Sequence, residues 1–181
     1  MLSAFSSLKE FAKTQFYEGP LGQALPTSFR ETAFLRAIGL FKIPLIFYVS
    51  PTVLELSEEK CVIRIPLGWR TKNHLGAMYF GSLCVGADMA GGVIAARMIH
   101  SMGADVSLVF KDFQAEFLKR AEGDVHFTCT QGQEIRALVV QALESAERVS
   151  QKFQVTATVP SKLGNEPVAQ FFLTLSLKRK K

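Results

Sequence analysis

Residues Asn73 to Arg97 read NHLGAMYFGSLCVGADMAGGVIAAR, and between Lys72 and Arg97 the only formally charged side chain is Asp88. Five glycines, Gly76, Gly81, Gly86, Gly91 and Gly92, share the stretch with it. Leu75 to Ala96 is long enough to span a bilayer. A carboxylate in mid-span costs about 3 kcal/mol on insertion scales, and the flanking segments read as ordinary strands. The segment therefore reads as a buried helix of a globular domain. On a helix, Asp88 shares its face with Gly81, Cys84, Gly91, Gly92 and Ala95, three, four or seven residues away. Glycine costs about 1 kcal/mol relative to alanine inside a helix, so a stripe of small residues implies that something approaches that face closely. The approaching group is a neighbouring backbone or a ligand.

On either side of this helix the apolar period is two. Cys61, Ile63, Ile65 and Leu67 alternate, and Ser57 to Lys60 makes a hairpin turn after TVLEL. After the helix, Val106, Leu108 and Phe110 alternate, and the parity then switches to Phe113, Ala115 and Phe117. A one-residue bulge near Lys111 or Asp112 accounts for the switch. Further strands run through Val125, Phe127 and Cys129, through Phe153 to Val159, and through Ala169 to Leu177. Ile135, Leu138, Val139, Ala142, Leu143, Ala146 and Val149 have amphipathic helical spacing. Strands grouped in pairs between helices predict an α+β fold with an antiparallel sheet around one helix.

At 181 residues, with 48% hydrophobic and 20% charged side chains, the chain has material for one domain with a substantial core. Residues 1–43 read as an N-terminal helical extension and 44–181 as the main domain. In the extension Leu2, Phe5, Leu8 and Phe11 have helical spacing, and Ser28 with Glu31 has that of a capping box; from Pro44 the period turns toward two. Cys61, Cys84 and Cys129 form no C-x-x-C pair, which points to a reducing, cytoplasmic setting. The net charge of +5 owes much to the terminal LKRKK, a solvated tail, and no aromatic and basic module suggests nucleic acid. His74, His100 and His126 form no ligand cluster, so no metal is expected, and there is no nucleophile elbow or phosphate loop.

The helix segment NHLGAMYFGSLCVGADMAGG resembles the central-helix signature of the hotdog-fold thioesterases, and within them the branch known as domain of unknown function 4442. In the related phenylacetate-type enzymes the pattern is Asn or Gln, Gly, His-Gly-Gly, then a small residue with Asp or Glu. Here Asn73, Gly76, Tyr79-Phe80-Gly81 and Ala87-Asp88 hold those places. The similarity runs from about Pro44 to Lys178, through VFKDFQAEFLKRAEGDV. The resemblance implies a hotdog fold, a curved antiparallel sheet wrapped round a long central helix. It also implies a homodimer or tetramer of dimers with sites between subunits, and hydrolysis of acyl thioesters such as acyl-coenzyme A.

Carried over by position, Asp88 would be the general base or nucleophile and Asn73 would position the thioester or water. The backbone amides of Phe80 and Gly81 would polarise the thioester oxygen. Tyr79 and Gly92 would line the substrate slot. Tyr79 and Phe80 stand where many relatives have His-Gly, and a non-catalytic acyl- or lipid-binding protein is the alternative. Arg70, Lys72, Lys119 and Arg120 are the basic candidates for the nucleotide end of coenzyme A, which enters as part of the substrate and not as a cofactor. For the non-catalytic alternative, the apolar stretch FLRAIGLFKIPLIFY would cap a tunnel or touch a membrane.

Overall fold

The computed structural model describes residues 26–180. In chain order these form α1 (Thr27–Lys42), α2 (Pro44–Tyr48), β1 (Thr52–Leu56), β2 (Cys61–Ile65), α3 (Phe80–Ser101), β3 (Val106–Phe117), β4 (Val125–Cys129), α4 (Gly132–Glu144), β5 (Val149–Thr158), α5 (Pro160–Leu163) and β6 (Pro167–Arg179). The strands make one antiparallel sheet in the order β1-β2-β4-β5-β6-β3. This is the hotdog arrangement, with α3 lying across the sheet as its core.

Local chemistry sets the register. The β1–β2 hairpin closes through the Ser57 amide donating to the Lys60 carbonyl at 2.8 Å, while Ser57 Oγ accepts the amides of Glu59 and Lys60. The β3–β6 ladder slips between Phe110 and Asp112, so Lys111 is the extra residue that switches the apolar parity. The side chains of Phe127, Phe171, Leu173, Leu175 and Leu177 are sealed between sheet and helices.

Three local expectations are corrected. Ala146 and Val149 do not extend α4, which ends at Glu144; Val149 instead pairs with Leu177, where β6 offers ladder hydrogen bonds that a further helical turn would forfeit. Ser28 does not cap α1: Pro26 precedes the helix, Ser28 lies in its first turn, and the buried Glu31 carboxylate stands 3.7 Å from Arg97 on α3. At Pro44 the chain starts α2 and not a strand, with proline at a first-turn position where its missing N–H costs nothing.

Helices α1 and α2 are docked on the sheet's first strand. Leu35, Gly39 and Ile46 are buried, Thr32 Oγ1 accepts the Val53 amide at 2.8 Å, and Arg36 Nε donates to the Pro51 carbonyl at 2.8 Å. The expected helical spacing of Leu2 to Phe11 lies outside the described residues.

Candidate functional site

Helix α3 is long and apolar enough to cross a membrane, yet its inner side is packed on the sheet. Two of its glycines are explained by that packing. A Cβ at Gly86 would run into the ring of Phe127 and one at Gly91 into the ring of Phe153, so the sheet's large aromatics reach the helix backbone only because these positions are bare. Gly91 therefore faces Phe153 of the sheet, and Ala95, seven residues on from Asp88, is fully buried. The stripe that remains partly open runs Gly81, Cys84, Asp88 and Gly92. A Cβ at Gly92 would meet only the Phe110 ring, at 3.5 Å, an ordinary contact. Nothing described in the chain requires that position to be glycine.

Asp88 sits in the middle of this stripe, half-buried, with no hydrogen-bond or ion-pair partner among the described residues. Loss of hydration holds its pKa above the ordinary carboxylate value. Cys84, one turn earlier on the same face, is raised for the same reason.

At the start of α3 the Tyr79 position carries no side-chain cap. The amides of Phe80, Gly81 and Ser82 have no partner among the described residues, so they are free donors at a helix N-terminus. Backbone bonds fix this end: the Tyr79 amide donates to the Thr71 carbonyl at 2.7 Å and the Met78 amide to the Ala121 carbonyl at 2.9 Å. Thr71, buried, locks its own turn by donating to the Pro66 carbonyl at 2.7 Å.

Asn73 shapes the approach loop. Its Oδ1 accepts the amides of Leu75 at 2.9 Å and Ala77 at 3.2 Å, which places Nδ2 outward as a donor without a partner among the described residues. Gly76, at φ 81°, takes the left-handed turn that this loop needs. His74 is exposed beside it.

Tyr79 and Phe80 form an aromatic wall. Their rings lie 4.8 Å apart, and Phe80, 57% exposed, leans edge-on at 6.4 Å against Phe117 at the end of β3. Phe117 and Phe113 in turn pack on Phe171. The part of this wall built by Phe113 and Phe117 was not singled out as functional from the sequence; the parity switch at Lys111, which sets their side of β3, was the available signal.

The four basic candidates separate. Lys72 bridges to Met78 and Arg120 precedes Ala121, whose carbonyl holds the Met78 amide, so both flank the open start of α3. Lys119 is engaged by Glu166. Arg70 lies over the rings of Tyr48 and Trp69, at 5.5 and 5.1 Å from their centroids.

Residues 31–176 match the family described as Domain of unknown function (DUF4442), a span that takes in most of α1 as well as the sheet. No curated protein matches the chain. Among solved structures, a Chlorobaculum tepidum protein of unknown function superposes with a TM-score of 0.73 at 11% identity, covering 85% of this chain and 98% of its own. A Pseudomonas aeruginosa protein described as a probable thioesterase gives 0.66 at 22% identity, covering 86% and 97%. A Haemophilus influenzae thioesterase gives 0.59 at 16%, covering 79% and 88%. At these identities the likeness is one of fold.

Proposed function

This chain belongs to the DUF4442 family, and from the geometry of α3 we propose that it is a hydrolase of acyl thioesters, acyl-coenzyme A foremost. The observation that carries the reading is the partnerless, desolvated Asp88 on the open stripe of a helix whose first amides are also free. A carboxylate that has lost hydration is a stronger base, and free helix amides are pre-aimed donors for an oxyanion. In the reaction, Asp88 takes a proton from water as its oxygen attacks the thioester carbon, or attacks that carbon itself to give a mixed anhydride that water then hydrolyses, freeing the acid and Asp88. The amides of Phe80 and Gly81 stabilise the oxyanion, the C–S bond breaks, and the thiolate leaves and is protonated. Asn73 serves as a donor only, since its carbonyl oxygen is already occupied within the loop.

One chain does not complete such a site. Phe80 and Asp88 are eight residues apart on one helix, about 12 Å along its axis, whereas a single tetrahedral centre needs donors and base each within about 3 Å. The donors of one protomer then serve with Asp88 of another, which makes a homodimer the functional unit. Lys72 and Arg120 beside the donors suit the phosphates of coenzyme A, and the Tyr79, Phe80 and Phe117 wall suits the acyl chain.

The test is a panel of short, medium, long and aromatic acyl-coenzyme A substrates run on wild type and on Asp88→Asn. Turnover by wild type that falls about 100- to 10,000-fold in the variant supports the reading. No turnover across the panel, or a fully active Asp88→Asn, overturns it. The bulky Tyr79-Phe80 pair favours one second reading, an acyl binder without turnover, and a stoichiometric ligand retained in native mass spectrometry of a hydrolytically silent protein would establish it.

A further inference from the structure

Away from the Asp88 stripe the chain leaves a second apolar surface open. From Leu40 to Tyr48 only Ile46 is buried, so Leu40, Phe41, Ile43, Leu45 and Tyr48 all stand exposed. The surface is continuous. A Cβ at Gly39 would lie 2.5 Å from the Phe47 nitrogen, so α1 and α2 touch backbone to backbone. The Tyr48 ring meets that of Trp69 edge-on at 6.2 Å, and Trp69 is 73% exposed. An apolar patch of this extent on an otherwise ordinary domain marks a contact surface.

Its charge is one-sided. From Thr32 to Leu54 the charged side chains are Arg36 and Lys42, from Pro66 to Ala87 they are Arg70 and Lys72, and neither segment holds a carboxylate. Arg36 is turned inward to the Pro51 carbonyl, but Lys42 and Arg70 border the exposed aromatics, with Arg70 lying over Tyr48 and Trp69. Exposed Trp, Tyr and aliphatic side chains bordered by lysine and arginine make the pattern of a helix that rests in a lipid headgroup layer. A second copy on this face would set basic groups against the same basic groups. Residues 1–25 carry Lys9, Lys13, Glu10 and Glu18, so that segment brings no net negative charge to match.

We propose that α1, α2 and the Trp69-Arg70 turn dock this protein on an anionic membrane surface, without spanning it. The docking does not depend on any turnover at Asp88, and its readout needs none. Trp69 is the single tryptophan of the chain, so its fluorescence reports this surface directly. The full chain is titrated with vesicles of phosphatidylcholine alone and of phosphatidylcholine with about one third phosphatidylglycerol. The expected result is a blue shift of Trp69 emission and protection from acrylamide on the anionic vesicles, weakened by added salt.

Each basic side chain near an anionic surface is worth about fivefold in binding, so Lys42→Gln with Arg70→Gln weakens binding by about twenty-five-fold. Phe41→Ser weakens it on its own by removing inserted area. Circular dichroism and unfolding midpoints confirm that these surface variants fold, and the salt dependence of the wild type needs no variant. Emission unmoved by anionic vesicles overturns the proposal, as does an equal response to both vesicle types. Trp69 already shielded from acrylamide without lipid also overturns it: shielding that persists on dilution identifies residues 1–25 as the occupant, and shielding lost on dilution identifies a second copy.

Discussion

Asp88 sits where an ionised carboxylate is disfavoured, because burial takes away its hydration. Its folded-state pKa lies above the ordinary 3.8 because burial strips water from the carboxylate. The folded protein thus binds this proton more tightly than the unfolded chain, and the ionised form subtracts from stability above the raised pKa. The loss fades as pH falls through that value and is gone below about 3.8. Asp88→Asn, equal in shape, is expected to raise the unfolding midpoint at neutral pH, with the difference from wild type narrowing toward acid; thermal melts of both proteins across pH check this. Turnover has the matching sign. It rises with pH as Asp88 loses its proton, and the acid limb of kcat/KM is expected above the ordinary carboxylate range. The carboxylate's presence was legible in the sequence, but its lack of a partner was not, because a partner from any distant strand would have looked the same along the chain.

At the scale of the element, α3 contains glycines of two kinds that the sequence lumps together. Gly86 and Gly91 admit Phe127 and Phe153, and Phe127 is fully buried and pinned against Phe171. Overpacking there outweighs the gain in helix propensity, so Gly86→Ala and Gly91→Ala are each expected to lose about 1–2 kcal/mol in denaturant unfolding. Gly92 has room for a methyl group. Gly92→Ala is expected to gain up to about 1 kcal/mol in the same measurement while lowering turnover, since the position is then bare for the substrate's sake. A Gly92→Ala protein that is both destabilised and fully active would remove Gly92 from the site. Helical spacing put Gly91 beside Asp88, but the sheet's aromatics decided which side of the helix each glycine serves.

For the whole molecule, the sheet ends on β3, a 12-residue strand paired only with β6 among the described residues. It leaves Val109, Phe113 and Phe117 exposed. An open edge of that length is a template for a second copy, and joining two β3 strands would fuse two sheets. Sedimentation is expected to give at least twice the chain mass. Subunit complementation tests the shared site more sharply. Phe80→Pro removes one donor at a first-turn position that tolerates proline. Mixed with Asp88→Asn chains and allowed to exchange, it is expected to restore about a quarter of wild-type turnover, because about half the dimers are mixed and each of those has one intact site. No recovery in demonstrably mixed dimers would mean that donors and base act within one chain.

The strands, the central helix, the Ser57–Lys60 turn and the bulge at Lys111 were legible because period-two and period-3.6 patterns and turn chemistry are local properties. The motif Asn73, Phe80-Gly81, Asp88 came from the resemblance to the hotdog-fold thioesterases and not from any periodicity. The tertiary structure alone decided that Lys119 meets Glu166 while Arg70 turns to Tyr48 and Trp69, that Val149 leaves its helix for β6, and that Glu31 faces Arg97 on α3. Each of these outcomes is a competition between a local preference and a partner far along the chain, and only the packed fold puts that partner within reach.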